Sequence, residues 1–167
     1  GLNRRLYKAF EAYTRHRFQI EIADFSGQKF VSGSKLKGII DSATDDSVLL
    51  DVNGVGYVVF CSAKTISAIG AEGSAASLSI ETHVREDHIH LYGFATEAEH
   101  KCFKLITTVQ GVGAKVGLAI LSALTPNEIT TAIAAQDKTA ITRANGVGPK
   151  LAERIITELK SKVGTLS

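Results

Sequence analysis

The fold is decided by Val109-Gln-Gly-Val-Gly-Ala-Lys-Val-Gly-Leu-Ala-Ile-Leu121, which is repeated 35 residues later as Ala144-Asn-Gly-Val-Gly-Pro-Lys-Leu-Ala-Glu-Arg-Ile-Ile156. Gly, Val, Gly and Lys coincide in the two copies, and the apolar residues that follow them keep the same register. Each copy lies between two segments with helical periodicity. A lone Gly-apolar-Gly triplet is often an ordinary turn between helices, but a duplicated triplet with matched flanks predicts two tandem helix-hairpin-helix motifs.

The chemistry of such a hairpin favours a phosphate. Glycine permits φ > 0 and has no Cβ to keep a phosphate away from the backbone, while the central valine is expected to point inward. The free N–H groups of the following helix lie at the positive end of its dipole, and a nearby lysine adds charge. Two such hairpins related by an approximate two-fold would hold two DNA backbones without selecting a base sequence. The predicted phosphate-binding residues are Gly111, Val112, Gly113, Lys115, Gly146, Val147, Gly148 and Lys150.

Other glycine motifs fit these residues less well. The pattern Gly111-x-Gly113-x-x-x-Gly117 resembles a dinucleotide fingerprint, but no predicted strand precedes it and its third glycine is misplaced. A P-loop requires Gly-Lys followed by Ser or Thr, which the sequence lacks. A third Gly-Val-Gly triplet, in Asn53-Gly54-Val55-Gly56, lies between two predicted strands and is predicted to be a β-turn without a DNA role.

The composition is that of a folded protein with one or two compact domains in 167 residues. No apolar run approaches the ~20 residues that span a bilayer. Cys61 and Cys102 are too isolated for a disulfide framework or a metal site, which indicates reduced thiols in a cytoplasmic protein. The histidines form no ligand set, although His88 and His90 are expected to lie exposed on the same side of a strand. No metal and no cofactor are therefore predicted.

The net charge of +2 conceals an uneven distribution. Residues 1–34 carry six Lys/Arg against three Asp/Glu, residues 35–95 four against eight, and residues 96–163 nine against six. The three segments therefore have charges of +3, −4 and +3. An acidic segment between two basic ones argues against the middle segment as the main surface for DNA.

The order of the patterns predicts an α+β chain. Residues 1–34 are predicted to be an N-terminal extension, with a basic amphipathic helix within residues 2–17, either packed on the domain or used as a DNA arm, and a linker at Phe25–Ser34. Residues 35–95 are predicted to form a five-stranded OB-fold barrel, with a split open sheet as the alternative. Residues 96–163 are predicted to be an all-α domain with the two tandem motifs, and residues 164–167 the start of a linker.

The predicted elements follow from periodicity and turn residues. The strand predictions are Lys35–Ser42, Ser47–Val52, Tyr57–Ser62, Ala76–Val84 and Ile89–Phe94, with a long turn at Ala63–Ser74. The helix predictions are Thr96–Val109, Ala114–Ala123, Pro126–Ala135, Thr139–Ala144 and Pro149–Val163. The first of these helices is expected to open with a capping box formed by Thr96 and Glu99.

Four stretches, in this order, carry a family resemblance. They are Lys35-Leu-Lys-Gly-Ile-Ile40, Leu50-Asp-Val-Asn-Gly-Val-Gly-Tyr57, Val84-Arg-Glu-Asp-His-Ile-His-Leu-Tyr-Gly-Phe94 and Gly148-Pro-Lys-Leu-Ala-Glu-Arg154. Together with a barrel followed by two hairpins, they resemble the RuvA family of bacterial Holliday junction branch-migration subunits, from about Lys35 to Val163. Gln110 and Ala114 depart from the Asn and Pro that the family commonly has, a change that loosens the first turn without removing its phosphate site.

The resemblance implies a non-catalytic DNA-binding subunit of a helicase complex that acts in recombination and repair. It implies a homotetramer, with an octamer as the alternative, that holds a four-way junction open while RuvB, an AAA+ motor, drives branch migration with ATP. It also implies that Arg154 belongs to the phosphate-binding set. The family continues into a third helical domain that engages the motor. This domain is predicted to be absent here, which would remove that route of coupling.

The resemblance further implies that Glu86 and Asp87 form an acidic pin at the junction centre. Taken alone, Arg85-Glu86-Asp87-His88 is a polar tip between two strands, and solvated turn residues are the simple alternative. Carboxylates at such a tip repel phosphates. A repulsive centre between attractive hairpins favours a junction with separated arms over linear duplex.

Three other functions stay open from the residues alone. Some DNA glycosylases place a catalytic residue after such a hairpin, and Asp137 lies 22 residues beyond Lys115. It is more simply a loop residue or a helix cap, and the sequence offers no aromatic cluster for a flipped base, so no catalytic residue is predicted. A generic duplex or single-strand binder would use the barrel for stacking, which its sparse aromatics and acidic charge disfavour. A protein-binding scaffold would show no salt-dependent DNA affinity.

Overall fold

The computed structural model describes residues 35–163, and the predictions for residues 1–34 and 164–167 lie outside that range. The first part of this range is a closed barrel with the strand order β1-β2-β3-β5-β4, which decides between the barrel and the open sheet. Neighbouring strands are antiparallel except for β3 and β5, which are parallel. The strands are β1 (Lys35–Ala43), β2 (Ser47–Val52), β3 (Val55–Cys61), β4 (Ala75–Val84) and β5 (Ile89–Phe94).

The hairpin between β2 and β3 follows from two residues with positive φ. Asn53 has φ 54° and Gly54 has φ 88°, the conformation of a tight hairpin turn in which both central residues are left-handed. The Gly54 N–H donates to the Asp51 carboxylate at 2.8 Å. The predicted β-turn is confirmed, and the third Gly-Val-Gly triplet belongs to the barrel.

The segment after β3 corrects the sequence analysis. Ala63–Ser74 was expected to be a long turn, but Ala63–Ile69 forms a helix, α1. Ser62 caps this helix by accepting a hydrogen bond from the Thr65 N–H at 3.1 Å. The Ala63 N–H donates to the Ser122 hydroxyl at 2.9 Å, so the helix also joins the barrel to the helical part. This tertiary contact is one that short apolar periodicity cannot reveal.

Five further helices follow the barrel: α2 (Glu97–Ile106), α3 (Ala114–Ala123), α4 (Pro126–Ala134), α5 (Lys138–Ile141) and α6 (Pro149–Leu159). Strand β5 serves both parts of the protein because its side chains alternate between two faces. Leu91 points into the barrel core, whereas Tyr92 and Phe94 belong to the helical core. The last strand of the barrel therefore also packs against the core of the helical domain.

Buried polar groups fix the helical part against the barrel. Thr96 caps α2 by accepting from the Glu99 N–H, but the other half of the expected capping box is replaced by tertiary bonds. The buried Glu99 carboxylate accepts from the hydroxyls of Ser62 and Thr65, each at 2.7 Å. These tertiary bonds form in place of the second capping-box bond, because the two hydroxyl donors would otherwise be buried without an acceptor.

A second polar contact surrounds His100, which is 2% exposed. Its ring stacks on Phe94 with centroids 4.9 Å apart, Nδ1 lies 2.7 Å from the Ser79 hydroxyl, and Nε2 lies 2.7 Å from the Glu81 carboxylate. Both ring nitrogens thus bind β4. These contacts set the direction in which the helices and their hairpins project from the barrel.

The two cysteines are buried free thiols, and burial raises the pKa of Cys61 and Cys102 to about 12. Within residues 35–163, no single helix has the length and apolar character needed to cross a membrane. One bent pair, α3 with α4 at 94°, meets those two requirements only when taken together.

Candidate nucleic-acid interface

The two hairpins have the same backbone geometry. The first glycine of each is left-handed, with φ 96° at Gly111 and 83° at Gly146. The valine N–H closes each turn, from Val112 to the Val109 carbonyl at 3.0 Å and from Val147 to the Ala144 carbonyl at 3.2 Å. A side chain at either first glycine would be strained, so these glycines are required by the fold itself.

The valine and the second glycine of each hairpin have different roles. Val112 and Val147 are 4% and 7% exposed and lie in the helical core, as expected for residues that anchor the turns. Their inclusion among the predicted phosphate-binding residues does not fit this position, because the side chains are buried and the N–H groups close the turns. Gly113 and Gly148 differ from expectation, because their φ values are −81° and −87° and any residue could adopt them. No atom beyond their chain neighbours lies within 4 Å of an added Cβ. These positions are open to solvent, and steric access rather than conformation explains the glycine.

The helices that follow the hairpins, α3 and α6, begin without a side-chain cap. The other helices of residues 35–163 each have one, supplied by Ser62, Thr96, Thr125 and Asp137. The first N–H groups of a helix need an acceptor from a side chain, water or a ligand. At α3 and α6 the helix dipole and these N–H groups therefore face the open side of the hairpins with no protein acceptor from a cap.

The hairpins pack against each other with reciprocal contacts. A Cβ at Gly111 would lie 3.2 Å from Leu151 Cδ1, and a Cβ at Gly146 would lie 3.9 Å from Val116 Cγ2. Residues 111 and 146, and residues 116 and 151, are equivalent in the 35-residue repeat. Each hairpin thus rests on the third residue of the other hairpin's helix, which is the arrangement that an approximate two-fold requires.

The predicted cations lie on this surface, with one departure from symmetry. Lys115, Lys150 and Arg154 are all exposed. Arg154, on the second turn of α6, donates from Nη1 to the Gln110 carbonyl of the first hairpin at 3.3 Å. Its equivalent in the first copy is Ala119, so this bond is formed once. Arg154 therefore links the two hairpins, and its guanidinium places a positive charge between them.

The acidic tip lies between β4 and β5. Glu86 and Asp87 are exposed, and the turn is closed by a hydrogen bond from the Arg85 N–H to the His88 carbonyl at 2.8 Å. The Asp87 carboxylate lies 2.7 Å from His88 Nδ1, and this hydrogen bond lowers the pKa of Asp87. Asp87 therefore stays ionised across the neutral range.

The tip and the first hairpin meet at one cleft. Arg85 and His88 lie on its barrel side, and Gly113 and Lys115 lie on its helical side. The structure thus brings the first hairpin next to the base of the acidic tip. The second hairpin joins this arrangement through its packing on the first.

The same cleft contains a ring cluster that the sequence analysis missed. Among strands β3, β4 and β5 and the turn that joins β4 to β5, the centroid separations are 5.4 Å for Phe60–His90, 4.8 Å for His83–Tyr92 and 4.3 Å for His88–His90. The prediction that no aromatic cluster offers a stacking site for a flipped base stays a prediction, while these rings, sparse along the chain, converge on one face of the barrel. His88 and His90 do share a side, but they are half-buried rather than exposed.

Two further residues singled out in the sequence have structural roles. Asp137 caps α5 by accepting from the Ala140 N–H at 3.1 Å, which agrees with the helix-cap interpretation. A Cβ at Gly117 would lie 2.9 Å from Thr107 Cγ2 and 3.2 Å from Phe103 Cε2. This glycine lets α3 approach α2 and belongs to no nucleotide fingerprint.

Replacing both cap glycines by serine (Gly113→Ser with Gly148→Ser) is expected to stabilise the fold and to weaken DNA binding. The serine hydroxyls would cap α3 and α6 and add about a few tenths of a kcal/mol per helix to the free energy of unfolding. They would also occupy the N–H groups that a phosphate would use, so the affinity for DNA should fall roughly tenfold. Thermal unfolding and DNA titration measure the two effects.

The matched control is Thr125→Ser at the cap of α4, which exchanges one capping hydroxyl for another away from the hairpins. It should leave DNA affinity unchanged. Equal affinity of the glycine double variant and the unchanged chain would show that these N–H groups bind no phosphate.

Two family descriptions match the chain. Residues 34–93 match the RuvA N terminal domain. Residues 103–161 match the SAM-like Helix-hairpin-helix tandem. The matches cover the barrel and the two hairpins described above.

Curated relatives match both parts together. The Holliday junction branch migration complex subunit RuvA of Rhodopseudomonas palustris (strain BisB5) is 59% identical over 133 residues, which are 80% of this chain and 65% of that protein. The protein of the same name from Rhizobium meliloti (strain 1021) is 58% identical over 133 residues, with the same coverage. That from Bradyrhizobium sp. (strain BTAi1 / ATCC BAA-1182) is 59% identical over 128 residues, 77% of this chain and 62% of the relative. The chain thus spans less than two thirds of the length of these proteins.

Proposed function

We propose that the chain is a member of the RuvA family, which it matches through its barrel and tandem hairpins, and that it binds four-way DNA junctions for branch migration in recombination and repair. The observation that carries the proposal is the pair of uncapped helix starts, at Gly113 and Gly148, on hairpins that pack reciprocally. Two anion sites held at a fixed spacing suit two backbones of one DNA arm. Because the N–H groups contact phosphates, the hairpins bind DNA of any sequence.

The acidic tip supplies the preference for a junction. Glu86 and Asp87 are exposed, and Asp87 stays charged because His88 binds it. Continuous duplex lying across the tip brings phosphates against these carboxylates, whereas a junction with separated arms leaves the tip in its open centre. The tip selects by excluding the wrong DNA, and the hairpins provide the affinity.

The proposal extends to the assembly. The relatives are named as subunits of a branch migration complex. We place four copies of this chain around one junction, each with its hairpins on one arm, and assign the ATP-driven movement to a RuvB motor. The chain itself acts without catalysis: Asp137, considered above as a catalytic residue, is used as a helix cap. Its buried, unpaired thiols support a place in the cytoplasm.

An electrophoretic mobility comparison tests the proposal. A synthetic four-way junction, a linear duplex and a single strand of matched sequence are titrated at several salt concentrations. We expect the junction to bind most tightly and its affinity to fall steeply with salt. Equal affinity for junction and duplex would indicate a generic DNA-binding protein. Salt-independent or absent binding would indicate a protein scaffold. Sedimentation with and without junction DNA checks the four copies.

Neutralising the tip (Glu86→Gln with Asp87→Asn) is expected to erode selectivity by strengthening duplex binding. The ratio of junction affinity to duplex affinity should fall about fivefold, since two repulsive charges are lost where duplex phosphates would lie. The matched control is Asp45→Asn with Asp46→Asn, which removes two exposed carboxylates from the turn between β1 and β2. An unchanged ratio in the tip variant would rule out the role of the tip as a selector.

A further inference from the structure

The cleft between the tip and the first hairpin has a chemistry of its own. It encloses about 550 Å³. Its charged and titratable lining residues are Arg85, His83, His88, His90, Tyr92 and Lys115. None of these lining groups is a carboxylate, although the tip beside the cleft is acidic.

Two carboxylates near the cleft already have partners, while Glu86 is exposed at the tip and does not line the cleft. Asp87 binds His88 Nδ1 at 2.7 Å, and Glu81 binds His100 Nε2 at 2.7 Å. The permanent charges that face the cleft are thus the cations Arg85 from the tip and Lys115 from α3. A cleft with this lining attracts an anion even when its histidines are neutral.

The histidines are held in fixed positions by the sheet and by other rings. His83 and His90 are directly opposite each other on β4 and β5. Tyr92 packs edge-on against His83 with centroids 4.8 Å apart, and Phe60 packs in the same way against His90 at 5.4 Å. The ring of His88 lies 4.3 Å from that of His90. The imidazoles are therefore preorganised, and binding an anion requires little reordering of side chains.

We propose that this cleft binds a phosphodiester of the DNA strand next to the crossover, through Arg85, Lys115 and the imidazoles of His83 and His90, and that protons are taken up with it. The inference rests on the proposed function, because the strand reaches the cleft only when the first hairpin holds DNA. The tip repels duplex, and the cleft at its base accepts the strand that has left the duplex.

The direction of the pH dependence follows from the surroundings of the two rings. Burial lowers the pKa of His83, and burial together with the neighbouring His88 lowers the pKa of His90. Both rings are therefore mainly neutral at neutral pH without DNA. A phosphate in the cleft favours the protonated rings and raises both pKa values, so junction affinity increases as the pH falls from 8 to 6.

The carboxylates near the rings do not reproduce this dependence, and His88, which also lines the cleft, is kept unchanged in the double variant used for the test. Asp87 has a lowered pKa, and the nearby Glu81 also has a lowered pKa through its bond to His100. Both stay ionised between pH 6 and pH 8. Protonation of rings with lowered pKa values also destabilises the free fold slightly at pH 6, so tighter binding there cannot come from a more stable protein.

The test compares junction affinity at pH 6 and pH 8 for the unchanged chain and for the double variant His83→Gln with His90→Gln, at constant ionic strength. The unchanged chain should bind an immobile four-way junction about fivefold to tenfold more tightly at pH 6, as expected for rings whose pKa rises by about one unit on binding. The double variant should lose most of this ratio. Lys115→Gln is the matched control, because it removes a permanent cation from the cleft and should weaken binding at both pH values by the same factor.

The outcomes separate this inference from the function on which it rests. A junction preference at pH 8 with the same pH ratio in the unchanged chain and the double variant would overturn the cleft site and leave the function intact. Loss of junction preference in the unchanged chain would overturn the function. Should the double variant unfold, NMR titration of the unchanged chain measures the two histidine pKa values with and without junction DNA. A rise on binding supports the site, and unchanged values contradict it.

Discussion

Reversing the charges of Lys115 and Lys150 together (Lys115→Glu with Lys150→Glu) is expected to lower affinity for a four-way junction by about 100-fold or more at low salt. Both side chains are exposed and lie one residue after the first residue of α3 or α6, where the helix dipole and the N–H groups also attract a phosphate. Each glutamate would both remove a cation and repel the phosphate. The slope of log affinity against log salt should become shallower by about two.

The matched control reverses Lys64 and Lys160, which are exposed on α1 and at the end of α6 opposite its hairpin. It makes the same change in net charge away from the hairpins. Junction affinity should fall much less than in the hairpin variant. Equal losses in both variants would mean that DNA responds to net charge and not to the two hairpin sites.

The largest expected effect on stability belongs to Phe94→Ala, which should lower the free energy of unfolding by about 3–5 kcal/mol. Phe94 is fully buried. Its ring lies 4.9 Å from those of His100 and Phe103, at the place where the last barrel strand enters the helical core. Domains have about 5–15 kcal/mol of stability in total, so this single change would remove a large fraction of it.

Denaturant unfolding measures this loss, with Val58→Ala as the control on the barrel surface. Val58 is 53% exposed, and its truncation should change stability by no more than about 0.5 kcal/mol. A loss below about 1 kcal/mol for Phe94→Ala would contradict the view that this ring joins the two cores.

Much of the fold could be predicted because local signals and tertiary structure agree. Ser47–Val52, Ile89–Phe94 and Ala114–Ala123 have the predicted bounds, since strand alternation, turn residues and the glycine hairpin each mark the same boundaries. The closed barrel could be expected from five short strands but not decided against an open sheet. Closure depends on the parallel pairing of β3 with β5, a contact between strands about 30 residues apart that no local pattern contains.

The misses have one common cause, which is that tertiary partners decide them. Helix α1 is seven residues long, too short for periodicity, and the hydroxyl of its buried Thr65 has its partners, Glu99 and the Ala95 N–H, far away in sequence. Glu99 itself was expected to complete a capping box, but it accepts from barrel hydroxyls instead. Likewise, the ring cluster unites His83, His90 and Phe60 from three strands, and only the sheet pairing brings them together.

The hairpin glycines show how finely the candidate site could be predicted. Their presence indicated a phosphate site, but equal conformational roles were assumed for all four. Only the first of each pair, Gly111 and Gly146, has positive φ. Gly113 and Gly148 are extended and unobstructed. Sequence cannot distinguish a glycine that is required for its positive φ from one that is required because it leaves open space, because both positions are simply glycine.

The reciprocal packing of the hairpins fixes the distance between the two sites that bind DNA. Gly111 rests against Leu151, and Gly146 rests against Val116, so the separation of the two anion sites is set by these side chains and not by the connection between the repeats. Insertions near Gln136, which lies in that connection, would leave the separation unchanged. A larger or smaller residue at position 116 or 151 is instead expected to change this separation, and titration with B-form DNA and A-form RNA duplexes would measure the effect on binding.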